Sequence, residues 1–551
     1  MRVRFLPIVL GSAAFSSFVA AQAPSVAPTP EKPASAPASG ATSKPASAPT
    51  SRRGRPPWKG SAVLPPDLWT DVTDRTIGTT SDWTNKVEIA DLDGDGRPDI
   101  LFANGGDYDA KGAAVQSRVF LNRGPDARFE DATKRVFGDA TFFCRVIKVR
   151  DVDGDGRADV FVGNTFGTRS RLYLGQVDGG FNDATATHLP APDGSIGDAE
   201  FGDADGDGDF DLLLADWGPG SPMKNEGGRV SLWLNDGRGR FVDATAERMP
   251  DLKVRFCWEL EWLDVDGDFD LDVVASSKRS AGSFLFLNDG AGRFTDASLA
   301  RLPQFKNNYE FEAMDVDGDG LPDLATINDG PRFAEHLFRG DGKGGFIDAT
   351  AELWPASENP SFDDNMVVFL DFDSDGDADF LIGSLDGPDR VLVNDGRGRF
   401  LAGAPVFEGD PTRGTLGIAV ADLNGDGRLD VVHAQGENPQ ATAEKVFFGK
   451  SIAPDTAAPF VGALNLATIP AGRVVRCRIH DRKSPLAAHD FRRVILRVKV
   501  GEAATEIVME NYGEQLWRTT LPASVPAGAE VQAEAVDAAG NVSRGAKLRL
   551  P

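Results

Sequence analysis

Seven nine-residue runs of the form D-x-D-G-D-G-x-x-D punctuate this sequence, beginning at Asp91, Asp151, Asp203, Asp264, Asp315, Asp371 and Asp422, at intervals of 51 to 61 residues. Side-chain oxygens at positions one, three, five and nine of such a run can converge on one point, and a backbone carbonyl at position seven adds another. A donor set made only of hard oxygens selects calcium. The candidate ligands are Asp91, Asp93, Asp95 and Asp99; Asp151, Asp153, Asp155 and Asp159; Asp203, Asp205, Asp207 and Asp211; Asp264, Asp266, Asp268 and Asp272; Asp315, Asp317, Asp319 and Asp323; Asp371, Asp373, Asp375 and Asp379; and Asp422, Asn424, Asp426 and Asp430. That allows up to seven Ca2+ sites. Glycine at position six permits the turn that gathers the ligands. These are not EF-hands: residue twelve of the first run is Phe102, inside a predicted strand, where an EF-hand needs an acid.

Solvated acidic turns explain the pattern less well than metal does. The seven runs hold 30 of the chain's 84 acidic residues and 3 of its 58 basic ones, so they account for the whole net charge of -26. Carboxylates about 4 Å apart repel by roughly 4 kcal/mol per pair at an effective dielectric near 20, so loops this acidic need a cation to fold easily. Two runs depart from the pattern. Phe269 replaces the position-six glycine, which predicts distortion of the site from Asp264 to Asp272, and Asn424 offers a neutral oxygen in place of a carboxylate.

The segments that must position these loops read as strands. Before the first loop, Val87 and Ile89 alternate with Lys86 and Glu88; after it, Ile100 to Ala103, Arg118 to Leu121 and Arg128 to Thr133 are short runs separated by Gly, Asn and Asp. Asn-Asp-Gly at 235–237, 288–290 and 394–396 marks hairpins between the third and fourth strands. Four antiparallel strands per repeat, seven times over, predict an all-β fold: a seven-bladed β-propeller over residues 65–450. The apolar pairs Val87/Ile89, Ile147/Val149, Leu260/Trp262, Val367/Phe369 and Ile418/Val420 would fill the layers between blades. The seventh unit lacks its fourth strand, and Leu68 to Thr73 matches the missing pattern, so residues 67–73 are expected to complete the last blade. Residues 455–551 lose the acidic runs and alternate as in Val494, Leu496 and Val498, which suits a β-sandwich.

Residues 1–23 read as a cleaved export signal, with Arg2 and Arg4 ahead of an apolar stretch and small residues at Ala21 and Ala23. Residues 24–57, nearly all Pro, Ala, Ser and Thr, read as a spacer that at about 3.1 Å per residue reaches roughly 100 Å. No later apolar stretch is long enough to span a membrane once the signal is removed. The product would be secreted, periplasmic or held at the cell surface. Three cysteines, Cys144, Cys257 and Cys477, support neither a disulfide framework nor a zinc site. The acidic balance argues against a nucleic-acid partner.

The D-x-D-G-D-G-x-x-D loops and F-x-D-A-T strands resemble the FG-GAP and VCBS repeats of integrin α-subunit propellers and bacterial secreted proteins. The resemblance implies calcium between the first and second strands of each blade and ligand binding on the opposite face. Asp455-Thr456-Ala457-Ala458-Pro459 and Asp537-Ala538-Ala539-Gly540-Asn541 look like the edges of a bacterial immunoglobulin or fibronectin-type module. The expected function is non-enzymatic recognition or adhesion by a monomer, toward an extracellular protein or glycan; three long loops, 104–117 with Tyr108, 215–229 with Trp217, and 433–445, are the candidate contact regions. The alternative is a lyase or hydrolase acting on polysaccharide. Five scattered histidines, 188, 336, 433, 480 and 489, and the absence of a nucleophile-elbow or H-E-x-x-H motif give it no catalytic residues to name. Lys86 and Lys148 face a ring that also carries Glu200, Glu261 and Glu312, which suits either a polar channel or ordinary ion pairing between blades, so none of them is taken as a site.

Overall fold

The computed structural model describes residues 60–551 apart from 66, 81, 106–107, 125–127, 192–193, 329–333, 404–405, 408–411, 413, 437–442 and 470–471. The expected export signal and spacer lie outside the described residues.

The alternating segments form strands, and the chain is all-β with β-propeller-like repeats: seven four-stranded antiparallel sheets, followed by two five-stranded ones. In sheet one the strands Thr84–Ala90, Asp99–Asn104, Arg118–Asn122 and Phe129–Asp131 pair in chain order. The first strands of sheets two to seven are Cys144–Arg150, Ile196–Gly202, Leu260–Leu263, Asn308–Met314, Asp364–Leu370 and Thr415–Ala421. Each packs against the next, and Thr415–Ala421 packs back against Thr84–Ala90.

Burial between the sheets explains this order. Ile147 and Val149 of sheet two share a cluster with Leu101 and Val119 of sheet one. Equivalent clusters join every successive pair, and Ile89, Ile100 and Phe102 of sheet one pack with Ala421, Leu423 and Val432 of sheet seven. No single core exists; apolar surface is buried in layers between neighbours.

Sheet seven is completed from the other end of the chain. Trp69–Asp71 pairs antiparallel with Lys445–Gly449, in the register Trp69↔Gly449, Thr70↔Phe448 and Asp71↔Phe447. Trp69 is fully buried, its Nε1 donates to the Leu429 carbonyl at 2.8 Å, and its ring stacks on Phe407.

The F-x-D-A-T pattern has a physical origin that pattern matching alone does not supply. In sheet two, Asp183 Oδ1 accepts from the Thr185 backbone at 3.0 Å, which starts a single helical turn over Thr185–His188. The Thr185 hydroxyl accepts from the Leu172 backbone at 3.1 Å and ties that turn to the third strand. The same pair of bonds recurs with Thr73, Thr133, Thr245, Ser298 and Thr350.

After Asp455 one sheet runs Phe460–Val461, Gly472–His480, Leu516–Thr520, Glu510–Gly513, with Asn465–Ile469 also on Gly472–His480. The other runs Ala503–Val508, Phe491–Val500, Glu530–Asp537, Val542–Arg544, with Leu548–Arg549 on Glu530–Asp537. Val475, Cys477 and Trp517 of the first share a core with Leu496, Val531 and Ala533 of the second. All three cysteines are buried and unbridged.

Replacing Trp69 with Ala removes the buried ring that holds the closing strand. The expected loss is about 3–5 kcal/mol in urea unfolding, and a loss below about 1 kcal/mol would contradict a pinning role for this strand.

Candidate metal centres and the surface that covers them

Each acidic run joins the end of a first strand to the start of a second. Its position-one carboxylate organises the loop by accepting the loop's own N–H groups. Asp315 Oδ1 accepts from Gly318 at 2.8 Å and Asp319 at 3.1 Å, and Oδ2 accepts from Gly320 at 2.8 Å. Wrapping the backbone this way requires positive φ at positions four and six, as at Gly318 (77°) and Gly320 (89°). The sequence reading recognised only position six. At Phe269, where distortion is expected, φ stays left-handed at 67° and Asp264 Oδ1 accepts from Gly267 at 2.9 Å. A further departure went unnoticed, Ser374 at position four of the sixth loop, which holds φ at 60°.

Position nine is the buried staple. Asp99 Oδ2 accepts from Leu92 N at 2.9 Å within its loop, and Oδ1 accepts from Asn122 N at 2.7 Å at the end of the third strand. Asp159, Asp211, Asp272, Asp323 and Asp430 make the same two bonds. In the sixth loop Asp379 keeps the bond to Asn394 N, while its Oδ2 is buried with no hydrogen-bond partner. Burial raises these carboxyls: Asp99 to about 7, and Asp211, Asp272, Asp323 and Asp430 to about 8.

Positions one, three and nine come together. In the first four loops their carboxylate oxygens lie within 4.8 Å of one another: Asp91, Asp93 and Asp99; Asp151, Asp153 and Asp159; Asp203, Asp205 and Asp211; Asp264, Asp266 and Asp272. Position five has another task in each loop, accepting the position-seven N–H, as Asp319 does from Leu321 at 2.9 Å. Asp95 and Asp155 also pair with the Arg97 and Arg157 guanidiniums. In the seventh loop Asn424 Oδ1 accepts from Asp426 N at 2.9 Å. Beyond Asp379, position-three atoms Asp205 Oδ1 and Asp317 Oδ1 are also buried without partners. Buried, unshared carboxylate oxygens facing other carboxylates fit a hard cation.

The C-terminal strands cover this end of several sheets. Arg476 donates to the Phe269 carbonyl at 3.2 Å, the Asp268 carbonyl at 2.8 Å and Asp270 Oδ1 at 3.0 Å. Arg478 reaches the Gly320 carbonyl at 3.0 Å and Asp264 Oδ2 at 3.3 Å. Arg482 donates to the Gly376 carbonyl and Arg518 to Asp203 Oδ2. Three of these arginines therefore meet the position-six carbonyl of three successive loops. Both non-glycine exceptions face this surface: Tyr512 OH donates to Phe269 O at 2.8 Å, and Ser374 Oγ accepts from Thr456 N at 2.8 Å.

At the other end of the sheets an aromatic group collects. Trp258 contacts Trp217, Phe256 and Tyr309, with half-buried Tyr108 at its edge. Arg145 lies 4.1 Å over the Trp258 ring and Lys278 4.5 Å over Tyr309. Of the two aromatics singled out in the long loops, Trp217 is fully buried and donates to the Cys257 carbonyl, so it is core and not contact surface. Part of the loop 433–445 lies outside the described residues.

Comparison with known proteins agrees with this geometry. Residues 151–214, 264–326, 315–382 and 371–433 match the FG-GAP-like repeat. The chain thus carries FG-GAP-like repeats on a β-propeller-like fold. None of the curated proteins matches it. Among solved structures, a fungal alcohol oxidase of the AA5 family in complex with copper is 11% identical, over 86% of this chain and 98% of that one, with a TM-score of 0.43. The biofilm matrix protein Bap1 of V. cholerae is 13% identical over 88% and 75%, with a TM-score of 0.32. A protein from Lactobacillus plantarum is 12% identical over 60% and 87%, with a TM-score of 0.38.

The position-nine carboxyls set a pH dependence. Their folded pKa lies above the unfolded 3.8, so between about pH 4 and 8 the folded chain binds more protons than the unfolded one, and stability falls as pH rises. Protein stripped of divalent ions should therefore melt at progressively lower temperature across that window; a melt that rises toward pH 8 would contradict the assignment.

Proposed function

We propose that the chain is an exported, calcium-stapled recognition module. In this reading the seven sheets are the blades of a closed propeller, the two C-terminal sheets form an immunoglobulin-like sandwich, and calcium occupies the acidic loops. A protein or glycan is bound at the end of the propeller remote from the loops. The observation that carries the reading is the occupation of the loop end by Arg476, Arg478, Arg482 and Arg518, which leaves the opposite end, with half-buried Tyr108 and Lys278, as the accessible one. Half-buried aromatic and cationic side chains together suit a sugar ring or a protein anchor. Export agrees with FG-GAP-like repeats, and no helix among the described residues is long and apolar enough to cross a membrane.

Extracellular calcium modules bind near 10⁻⁴ to 10⁻³ M, so at millimolar calcium each tight site adds roughly 1.4 kcal/mol, and seven approach roughly 10 kcal/mol. Excess EGTA should lower the melting temperature sharply, and calcium should restore it where magnesium does not. An unchanged melt would count against the calcium assignment.

Glycan and protein arrays probed in calcium should give binding without cleavage, and Tyr108→Ala should weaken it about tenfold. New reducing or unsaturated ends on a bound polysaccharide would instead establish the lyase or hydrolase alternative.

A further inference from the structure

The first strands present two rungs of ionisable side chains toward one another. Three residues before the first five loops stand Glu88, Lys148, Glu200, Glu261 and Glu312; five residues before four of these loops stand Lys86, Asp198, Glu259 and Glu310. Lys86 is therefore one rung removed from the glutamates with which the sequence reading grouped it.

Most of these charges are answered. Lys86 bridges Asp198 and Glu259, Lys148 pairs with Glu200, and Arg150 lies 3.4 Å from Glu88. Glu310 accepts from the Val367 backbone at 3.1 Å. Glu261 is the exception. It is 5% exposed, and its buried Oε1 has no hydrogen-bond partner.

The C-terminal strands add another carboxylate at this place. The turn 512–515 is fixed on both sides of sheet four: the Tyr512 carbonyl accepts from Asp203 N at 2.8 Å, and Gln515 Nε2 donates to the Ala313 carbonyl at 3.2 Å. Glu514, held between them at a left-handed φ of 39°, has a buried Oε2 that is also without a partner. The Glu514 carboxylate is the foremost charge acting on both Glu261 and Glu312, and Glu312 has only the Ser484 hydroxyl as a donor. Lys148 and Arg150 are the cations that act most strongly on Glu514, and both already serve Glu200 or Glu88.

We propose that Glu261, Glu312 and Glu514 form a binding site for a hard divalent cation, inside the ring of first strands and separate from the acidic loops. The ligands come from sheets four and five and from the C-terminal strands, so the ion bonds the two parts of the chain directly. Carboxylate oxygens alone define its class: calcium, magnesium or manganese, and not a thiolate- or imidazole-seeking metal. Burial without a counter-ion holds Glu261 and Glu312 well above the ordinary carboxylate range, so the competing occupant is a proton.

Crystals of the full chain soaked in manganese test this by anomalous scattering. The expected result is a peak between the three glutamates, distinct from any at the acidic loops. Loops that scatter while this position stays blank would overturn the site alone; blank loops with a peak here would overturn only the calcium reading of the loops. Native mass spectrometry of Glu261→Gln/Glu312→Gln should show one bound ion fewer than the parent chain, and an equal count would also overturn the site. Should that variant not fold, Glu514→Gln, which changes only the turn of the covering strands, gives the same readout.

Discussion

A carboxylate removed from water must be answered by donors, a proton or a cation, and the architecture follows from how this chain answers its own. The ninth residue of each acidic run is nearly inaccessible, yet it bonds its loop to the third strand of the same sheet, as Asp323 does through Val316 and Gly340. Two backbone N–H groups offset part of the desolvation. The remaining imbalance is visible in the raised carboxyls and in the unshared oxygens of Asp205, Asp317 and Asp379. Local loop geometry and register between strands are thus one property seen at two scales.

The same requirement shapes how the C-terminal strands attach. Guanidiniums from Arg476, Arg478 and Arg482 do not simply neutralise acid; they address backbone carbonyls at one repeated loop position, while Arg478 and Arg518 also reach position-one carboxylates. An arginine fork suits this task because its planar donors engage a carbonyl and a carboxylate together. Phe269 and Ser374, anomalies when each loop is viewed alone, become intelligible as parts of that contact, since one packs under Arg476 and Tyr512 and the other bonds Thr456.

Much of this was legible in the residues. Period-two alternation and the repeat spacing gave the four strands and their order, and the orphaned third strand at 445–449 pointed to the partner strand near Trp69, because an open sheet edge demands one. The residues group positions one, three, five and nine, and in the first four loops the structure brings one, three and nine together. What escaped was partly the loop's own backbone bonding and partly long-range packing. Position five serves its own backbone, position four needs left-handed geometry that Ser374 tolerates, and Trp217 looks like loop chemistry until Phe256 and Trp258, distant in sequence, enclose it. Glu514 gives no signal at all in the linear chain; its meaning arises only when a turn from the last hundred residues is laid against sheets three and five.

The mixed parentage of sheet seven has a consequence for biogenesis. Its fourth strand, Trp69–Asp71, is made early, and its partner, Lys445–Gly449, is made late. During synthesis the first sheets can assemble one after another, but sheet seven cannot be completed until Lys445–Gly449 has emerged from the ribosome.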